Sequence, residues 1–371
     1  MKIGLLTYGM NDNLTGIGQY AMQLSYALKA AFPSVQMVLL NPYPGSRLPW
    51  YRDFPVIPVP GLALLPGVLL AGPVTLAAVA RRFNLDLIHD PCGIAPFVFP
   101  GRYKRIVTIH DAIPFIYPQY YPLLGNIVYR TTVPMARWST QAVITVSESA
   151  KADLLHYAKL SSAKIFVTPS GMNIPTQEML QTWRLGAQEL RAQWNLPDSY
   201  FLVVGAGHPR KNSERVIAAL ALLRESGEEA ALVITGTPPR GFHQWEGSGI
   251  RFVGHVDELT LHLLYANASG VLVPSYYEGF GFPALEAMGH GTAVVASPVS
   301  ALPEVMRDTG LYAEPDKTEA WVHAMRILIR DESTRQALGE AGYLRAQQFS
   351  WRRTAEQTTA VYTHVLRGAV S

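Results

Sequence analysis

Two glutamates separated by seven residues are the strongest chemical signal in this sequence. Glu278 and Glu286 flank the turn Gly279-Phe280-Gly281-Phe282, and Pro283 is the expected start of a helix. Backbone N–H groups at a helix N-terminus attract anions, and ionised carboxylates accept hydrogen bonds from hydroxyl groups. The segment therefore predicts a pocket for a nucleotide sugar. The alternative is a strand, a turn and a helix that carry two solvated glutamates.

A pair of adjacent basic residues is the second signal. Arg210 and Lys211 follow the strand predicted at Tyr200–Gly205, where its carboxyl end meets the next helix. A planar guanidinium and a compact ammonium both bind diphosphates well. The position favours a ligand role over a chance solvated pair.

Two glycines follow the first predicted strand. Gly16 and Gly18 are close to the fingerprint of dinucleotide-binding proteins, but the second strand ends Leu40-Asn41-Pro42 without the acid that would bind a ribose hydroxyl. The sequence thus argues against a nicotinamide-dependent oxidoreductase. It leaves two readings of the glycines open: a close approach to phosphates, or tight packing of a strand on a helix.

His110 follows another predicted strand, Ile106–Ile109. Ligands of open α/β sheets lie at the carboxyl ends of the strands, so this histidine is placed for a ligand role. A structural histidine held by a backbone carbonyl is the equal alternative. The same His-Asp pair occurs at His89, so the dipeptide alone is not specific.

Several common catalytic motifs are missing from the sequence. It contains no Asp-x-Asp pair, which usually bridges a divalent ion and a diphosphate, no Gly-x-Ser-x-Gly elbow and no Gly-x-x-x-x-Gly-Lys loop. We therefore expect no cofactor and no metal requirement. Cationic side chains and helix N-termini would then neutralise a leaving diphosphate.

Composition sets the broad class. A chain of 371 residues predicts two domains, and a net charge of +3, from 31 basic and 28 acidic residues, gives no argument for nucleic acid. The single cysteine, Cys92, excludes an intrachain disulfide and is typical of a reducing compartment. The first residues are typical of a strand rather than a signal peptide. We expect a cytoplasmic enzyme.

One uncharged stretch complicates that expectation. Gly61–Ala80 has the length of a membrane span, but Pro66 and Pro73 would break a regular helix. We favour a buried or interfacial segment over a true span. A peripheral contact with the inner face of a membrane stays open.

Apolar runs alternate with helical patterns along the whole chain, which indicates parallel sheets with crossover helices. This predicts an α/β fold with two doubly wound domains that face each other across a cleft, residues 1–172 and 173–350. Predicted strands are Lys2–Tyr8, Gln36–Leu40, Leu85–His89, Ile106–Ile109, Ala142–Val146, Ile165–Thr168, Tyr200–Gly205, Ala231–Thr235, Ile250–Val253, Gly270–Pro274 and Ala293–Ala296.

Together these motifs resemble the retaining glycosyltransferases of family four, which have the GT-B fold. Glu278 through Glu286 fits the Glu-x7-Glu signature of that family, Arg210-Lys211-Asn212 its basic motif and Thr108-Ile109-His110-Asp111 its histidine motif. Gly254-His255-Val256 is similar to the stretch that faces the nucleotide base. Trp351 begins a segment similar to the final helix, residues 351–371, which in the family packs back on the N-terminal domain.

The resemblance implies roles for these residues. Glu286 would bind the ribose and Glu278 the donor sugar, while Arg210 and Lys211 would hold the diphosphate. Gly279, Phe280, Gly281 and Phe282 would offer N–H groups to it. His110 would contact the donor sugar, Val256 would face the base, and Gly16 and Gly18 would bring N–H groups near the phosphates or the acceptor.

The expected reaction is the transfer of a hexose from a nucleoside diphosphate sugar to an acceptor hydroxyl, with retention of configuration. The stretch from His110 to Pro118 is similar to bacterial mannosyl- and rhamnosyl-type enzymes of polysaccharide assembly. This similarity favours GDP-mannose as donor, polysaccharide or glycolipid assembly, and an acceptor that can be lipid-linked. Two alternatives stay open: a sugar-nucleotide epimerase or hydrolase of the same fold, and a non-catalytic subunit that binds sugar nucleotides.

Overall fold

The computed structural model describes residues 1–12, 14–93, 103–238 and 249–368. The chain divides into two compact units: a first unit of Met1–Gly171 with Ser350–Ser371, and a second unit of Met172–Phe349. The chain therefore leaves the first unit once and returns to it for its last helix.

The described part of the first unit is built on a seven-stranded parallel sheet with the order β3-β2-β1-β4-β5-β6-β7. Its strands are short, and the inner strands are almost wholly buried, as expected for a parallel sheet covered on both faces, whereas the two edge strands are partly exposed. The strands are β1 (Lys2–Leu6), β2 (Gln36–Asn41), β3 (Val56–Pro58), β4 (Leu87–Asp90), β5 (Lys104–Thr108), β6 (Ala142–Thr145) and β7 (Ile165–Val167).

Seven helices of the first unit lie within the described residues. They are α1 (Gly16–Ala31), α2 (Leu65–Leu70), α3 (Gly72–Arg82), α4 (Ile113–Ile116), α5 (Leu123–Ser139), α6 (Glu148–Tyr157) and the last helix of the chain, α15 (Trp351–Leu366). Helix α15 packs against α1, where the Trp351 ring meets Tyr20 edge-on at 5.9 Å. A side chain at Gly171 would overlap the backbone at Trp351, so glycine permits this crossing.

The second unit repeats the design with a six-stranded parallel sheet in the order β10-β9-β8-β11-β12-β13, counted over its described residues. The strands are β8 (Phe201–Val204), β9 (Leu232–Thr235), β10 (Ile250–Gly254), β11 (Gly270–Val273), β12 (Val294–Ala296) and β13 (Leu311–Tyr312). The helices are α7 (Gln177–Leu185), α8 (Ala187–Trp194), α9 (Ser213–Glu225), α10 (Glu258–Asn267), α11 (Phe282–Gly289), α12 (Leu302–Met306), α13 (Thr318–Arg330) and α14 (Glu332–Ala346).

The predicted fold class is confirmed, because both units are Rossmann-like and their strand orders place ligand edges at the carboxyl ends of parallel strands. Two edge strands, β3 and β13, were missing from the prediction. They have three and two residues, too few for an apolar pattern to stand out. The connection between the two sheets, residues 171–198, contains two helices, α7 and α8.

The uncharged stretch Gly61–Ala80 forms α2 and most of α3, and some of its apolar residues are buried in the core. Leu62, Val68, Leu76 and Ala80 are buried in a cluster under the first sheet. Within the described residues, no helix combines the length and the apolar character needed to cross a bilayer.

A buried histidine joins α15 to the first sheet. The His89 ring lies between the Tyr362 hydroxyl, 2.8 Å from Nδ1, and the Thr108 hydroxyl, 2.7 Å from Nε2. Burial lowers the pKa of His89 to about 3. In the second unit, burial likewise lowers the pKa of His290 to about 4. Both imidazoles are therefore neutral in the folded protein at neutral pH.

This burial predicts that acid weakens the fold well before carboxylates are protonated. Below about pH 6.5 the imidazole is protonated in the unfolded state but stays neutral in the folded state. Each such histidine therefore lowers the free energy of unfolding by up to about 1.4 kcal/mol for each unit by which the pH falls. Urea unfolding at about pH 7 and about pH 5 measures the loss. His89→Gln should reduce the pH dependence, whereas His323→Gln, at an exposed position, should not. Equal stability of the wild type at both pH values would contradict the assignment.

Candidate active site

The basic pair lies on a short 3₁₀ turn, Pro209–Lys211, that follows β8. Asn212 ends this turn in the left-handed conformation, with φ of 50°. Its side-chain amide donates to the carbonyls of Pro274, at 3.1 Å, and Pro315, at 2.8 Å. Asn212 therefore ties the basic turn to the loop after β11, which carries Glu278.

Three donors converge on a single carboxylate oxygen of Glu278. Lys211 Nζ lies 2.8 Å from Oε1 and Arg210 Nη1 lies 3.3 Å from it. The Ser275 hydroxyl donates to the same oxygen at 2.6 Å. No described residue hydrogen-bonds to Oε2. One face of the carboxylate is thus fixed, and the other can accept a hydrogen bond from a ligand.

The surroundings of Glu278 keep it ionised. Burial raises the pKa of this carboxyl, but Lys211 and Arg210 outweigh that effect, and the pKa lies below its ordinary value. The cluster combines two cations with one anion, so it has an excess of positive charge before any ligand binds. An anionic ligand would complete its neutralisation.

The glutamate loop is held by backbone contacts as well as by charge. The Glu278 N–H donates to the Ser300 hydroxyl at 2.7 Å, and Arg210 Nη1 donates to the Tyr277 carbonyl. Gly281, with φ of +97°, precedes α11, and a Cβ there would lie 2.9 Å from Leu302. Only glycine fits this turn without strain.

Glu286 lies on α11 and has a different partner. The buried Tyr265 hydroxyl donates to its Oε2 at 2.7 Å. Burial raises the pKa of Glu286, and the Tyr265 hydrogen bond and the charge of Lys211 only partly offset the rise. The pKa of the Tyr265 phenol is well above its ordinary value, so Tyr265 is a permanent donor.

A column of stacked rings supports Tyr265 and the backbone of Glu286. The His290 ring stacks on Tyr265 at 5.1 Å, and Trp183 stacks on His262 at 4.5 Å. His262 Nδ1 lies 2.8 Å from His290 Nε2, and His290 Nδ1 lies 2.6 Å from the Glu286 carbonyl. This carbonyl can only accept, so His290 carries its proton on Nδ1 and His262 donates to Nε2.

Sequence reasoning missed Ser275, Ser300, Tyr265 and the ring column. Ser275 stands three residues before Glu278 and could have been suspected from that spacing. Tyr265 and Trp183 are distant in sequence from Glu286, so no local pattern signals them.

Val256 and the glycine turn also belong to the second unit. Val256 is partly buried in the connection between β10 and α10. Phe280 is buried and packs edge-on against Phe282 at 5.2 Å, whereas Gly279 and Phe282 are partly exposed. Phe280 and the buried Gly281 therefore anchor the turn in the core, and Gly279 and Phe282 are partly accessible.

The remaining predicted residues lie in the first unit. His110 follows β5, and its Nε2 lies 2.9 Å from the Pro91 carbonyl, so the ring carries its proton there. Burial lowers the pKa of His110 to about 4. The Tyr20 ring of α1 meets the imidazole edge-on at 4.8 Å. This geometry fits both a structural and a ligand-binding role for His110. The Pro91 carbonyl holds Nε2, and no described residue hydrogen-bonds to Nδ1.

The two glycines lie in the first turn of α1. Gly16 is exposed, with open space around its missing side chain. Gly18 is buried, and a Cβ there would lie 2.9 Å from the Leu14 side chain. Close packing accounts for Gly18, while Gly16 is accessible to a ligand.

Two protein-family models match this chain. Residues 187–345 match the family described as glycosyl transferases group 1, and residues 14–174 match glycosyltransferase family 4. The chain belongs to the family-four glycosyltransferases. The resemblance drawn from the motifs is therefore confirmed, and the enzyme is a glycosyltransferase.

Known proteins similar to this glycosyltransferase match it over its whole length. The O-antigen chain mannosyltransferase B of Escherichia coli is 28% identical over 98% of this chain and 99% of its own. Sucrose-phosphate synthase of Thermosynechococcus elongatus has the same fold, with a TM-score of 0.79 at 23% identity over 99% of this chain and all of its own. HepE of Anabaena, solved with UDP-glucose, has a TM-score of 0.74 at 18% identity over 98% of this chain and 99% of its own.

The contact between Tyr265 and Glu286 generates a direct prediction. Tyr265→Phe removes the hydrogen bond that lowers the pKa of Glu286, so this pKa should rise further above its ordinary value. Carbon NMR titration of the labelled glutamate carboxyls measures it. Tyr276→Phe, which removes a phenol from the exposed Asp316, is the control. An unchanged Glu286 titration in Tyr265→Phe would show that the phenol does not fix this carboxylate.

Proposed function

We propose that this glycosyltransferase moves a hexose from a nucleoside diphosphate sugar to an acceptor hydroxyl with retention of configuration. The observation that carries the proposal is the cluster of Arg210, Lys211 and Glu278, in which two cations share one carboxylate oxygen beside the start of α11. Its excess positive charge suits a diphosphate, and the second oxygen of Glu278 suits a sugar hydroxyl.

The chemistry follows from where charge develops. As the bond between the anomeric carbon and the phosphate oxygen breaks, negative charge grows on the leaving diphosphate. Arg210, Lys211 and the N–H groups of Gly279–Phe282 stabilise that charge without reorganising, because the turn and its ion pairs already hold them. Positive charge grows on the sugar, and the ionised Glu278 stabilises it while accepting a hydroxyl.

Glu286 binds the ribose in this proposal. Tyr265 occupies its Oε2, so Oε1 accepts the ribose hydroxyls. Val256 faces the base, as the family resemblance implies. His110 is neutral at working pH and accepts a donor-sugar hydroxyl at Nδ1, because Pro91 holds the proton on Nε2. Gly16 offers its N–H toward phosphates or acceptor, and Gly18 allows the helix to pack there.

Retention is proposed through a front-face path. The acceptor oxygen attacks the anomeric carbon from the side of the departing phosphate, and its proton passes to an oxygen of that phosphate. A new glycosidic bond forms as the bond to phosphate breaks, so the charges and the proton balance within the two substrates. No protein nucleophile is required.

GDP-mannose is the proposed donor, and the similarity to an O-antigen chain mannosyltransferase supports it. The same relative favours an acceptor in polysaccharide or glycolipid assembly, which includes lipid-linked acceptors. We further propose that the enzyme works in the cytoplasm, in peripheral contact with the inner face of a membrane that carries such acceptors.

A donor screen tests the proposal directly. GDP-, UDP-, ADP- and TDP-sugars are compared by thermal shift, where a ligand at one hundred times its Kd adds about 2.7 kcal/mol to the free energy of unfolding. GDP-mannose should give the largest shift. Product analysis should then detect transfer to an acceptor. Release of free sugar or an epimer without acceptor would support the hydrolase or epimerase alternative instead.

Substitutions of the two glutamates should affect different kinetic constants. Glu286→Gln weakens ribose binding away from the breaking bond, so KM should rise with a smaller effect on kcat. Glu278→Gln removes a charge next to the reacting carbon, so kcat should fall on the order of a hundredfold even at saturating donor. Steady-state kinetics with GDP-mannose distinguishes them.

Asp316→Asn serves as the control, because this carboxylate is exposed and lies outside the cluster. Thermal melts of all three variants show whether each remains folded. The reverse kinetic pattern in folded variants would overturn the assignment of roles.

Metal independence is a separate prediction. The proposal assigns charge neutralisation to Arg210 and Lys211, and among the described residues no group of three His, Cys, Asp or Glu is placed to bind a metal ion. Transfer should therefore persist in excess EDTA at its original rate. Loss of transfer in chelator, with recovery on adding magnesium or manganese, would contradict it.

A further inference from the structure

Helix α5 has an exposed face that is apolar where a surface helix is normally polar. Leu123, Leu124, Ile127 and Trp138 are 77%, 70%, 51% and 56% exposed. With Arg130, Pro134 and Arg137 they cover one continuous side of the helix at helical spacing. Its opposite side, with Asn126, Val133, Ala136 and Ser139, is buried in the first unit. The helix thus presents two faces, and its apolar outer face has no described partner.

Both charged side chains of α5 are cationic. Arg130 and Arg137 are exposed along its edge, and the sequence contains no Asp or Glu between Asp111 and Glu148. Among the described residues neither guanidinium has a carboxylate within ion-pair distance. The Arg137 guanidinium lies over the Trp138 ring at 4.1 Å, so cation and aromatic ring share one edge of the face.

We propose that the outer face of α5 docks on an anionic lipid surface. The helix has 17 residues and is about 25 Å long, which allows it to lie in the plane of a bilayer interface. Leucine, isoleucine and tryptophan enter the boundary between headgroups and acyl chains, and the arginines meet phosphates. The docking requires neither donor nor transfer, so it stands independently of the proposed reaction.

The same features argue against other occupants. In a twofold dimer this face would meet its own copy, and arginines would face arginines without any carboxylate to pair with them. The Gly61–Ala80 segment is a less continuous surface than α5, because its exposed Leu70 and Val74 lie on two separate helices of six and eleven residues. Its exposed Leu70 and Val74 nevertheless provide a direct comparison.

The test is flotation of the full-length protein, without substrates, on vesicles of equal parts phosphatidylglycerol and phosphatidylcholine, compared with phosphatidylcholine alone. Wild type should float with the anionic vesicles and be released in about 1 M salt, where charges more than about 3 Å apart are screened. The double variant Leu123→Glu and Ile127→Glu should lower the vesicle partition more than about tenfold. Arg130→Gln with Arg137→Gln should lower it about thirtyfold at low salt.

Two matched variants and two measurements make the result decisive. Leu185→Glu with Leu344→Glu changes exposed leucines of the second unit and should float as wild type does. Leu70→Glu with Val74→Glu should float as well. Circular dichroism and thermal melts confirm that each variant is folded, and light scattering reports oligomeric state.

Three outcomes would overturn the proposal. The folded wild type could fail to float on anionic vesicles, or the α5 variants could float as wild type does while the Leu70 and Val74 variant is lost. The Leu123 and Ile127 variant could also convert a dimer to a monomer, which would make the face an interface between copies. Failure of the donor screen would leave this result untouched, because no substrate enters the assay.

Discussion

The buried carboxylate of Glu278 is the constraint on which the second unit depends. A buried ion without partners is strongly unfavourable, and here two cations and a serine hydroxyl compensate a single oxygen. This compensation requires that β8 and β11 end side by side, that Asn212 ties their loops together and that Gly281 turns the chain into α11. The parallel order of the sheet meets the first requirement, because it brings the carboxyl ends of adjacent strands to one edge.

The contacts with Glu278 also hold Arg210 and Lys211 in position before an anion binds. Within the described part of the chain, Glu278 is the only carboxylate that pairs with Arg210 and Lys211, so the two cations are held in place but not fully neutralised. A diphosphate would therefore meet cations whose side-chain freedom is already restricted, which reduces the entropy lost on binding. Glu286 achieves the same preorganisation by other means, because a neutral phenol and stacked rings hold it instead of charges.

The first unit uses its buried polar groups differently. His89 joins the central strand β4 to the last helix through Tyr362, and Tyr20 of α1 contacts both His110 and Trp351. The residue proposed to meet the sugar is thus supported by the packing of α15 on α1. At its surface, α5 leaves Leu123, Leu124, Ile127 and Trp138 exposed. Helices α2 and α3 instead bury Val68, Leu76 and Ala80 in the core and expose Leu70 and Val74.

The sequence by itself determined the class of fold, the two glutamates, the basic pair and the glycosyltransferase family, because these depend on local patterns: period-two and apolar runs for strands, and short motifs with fixed spacing. It could not determine that Arg210, Lys211 and Ser275 share one oxygen of Glu278, or that Tyr265 holds Glu286. Those contacts join residues as far apart in the sequence as Arg210 and Glu278, and they exist only after the strands have aligned. The uncharged run at Gly61–Ala80 stood out in sequence, yet its burial was decided by packing. The exposed face of α5 was equally a tertiary outcome, because helical periodicity reports an apolar side but not the direction in which it faces.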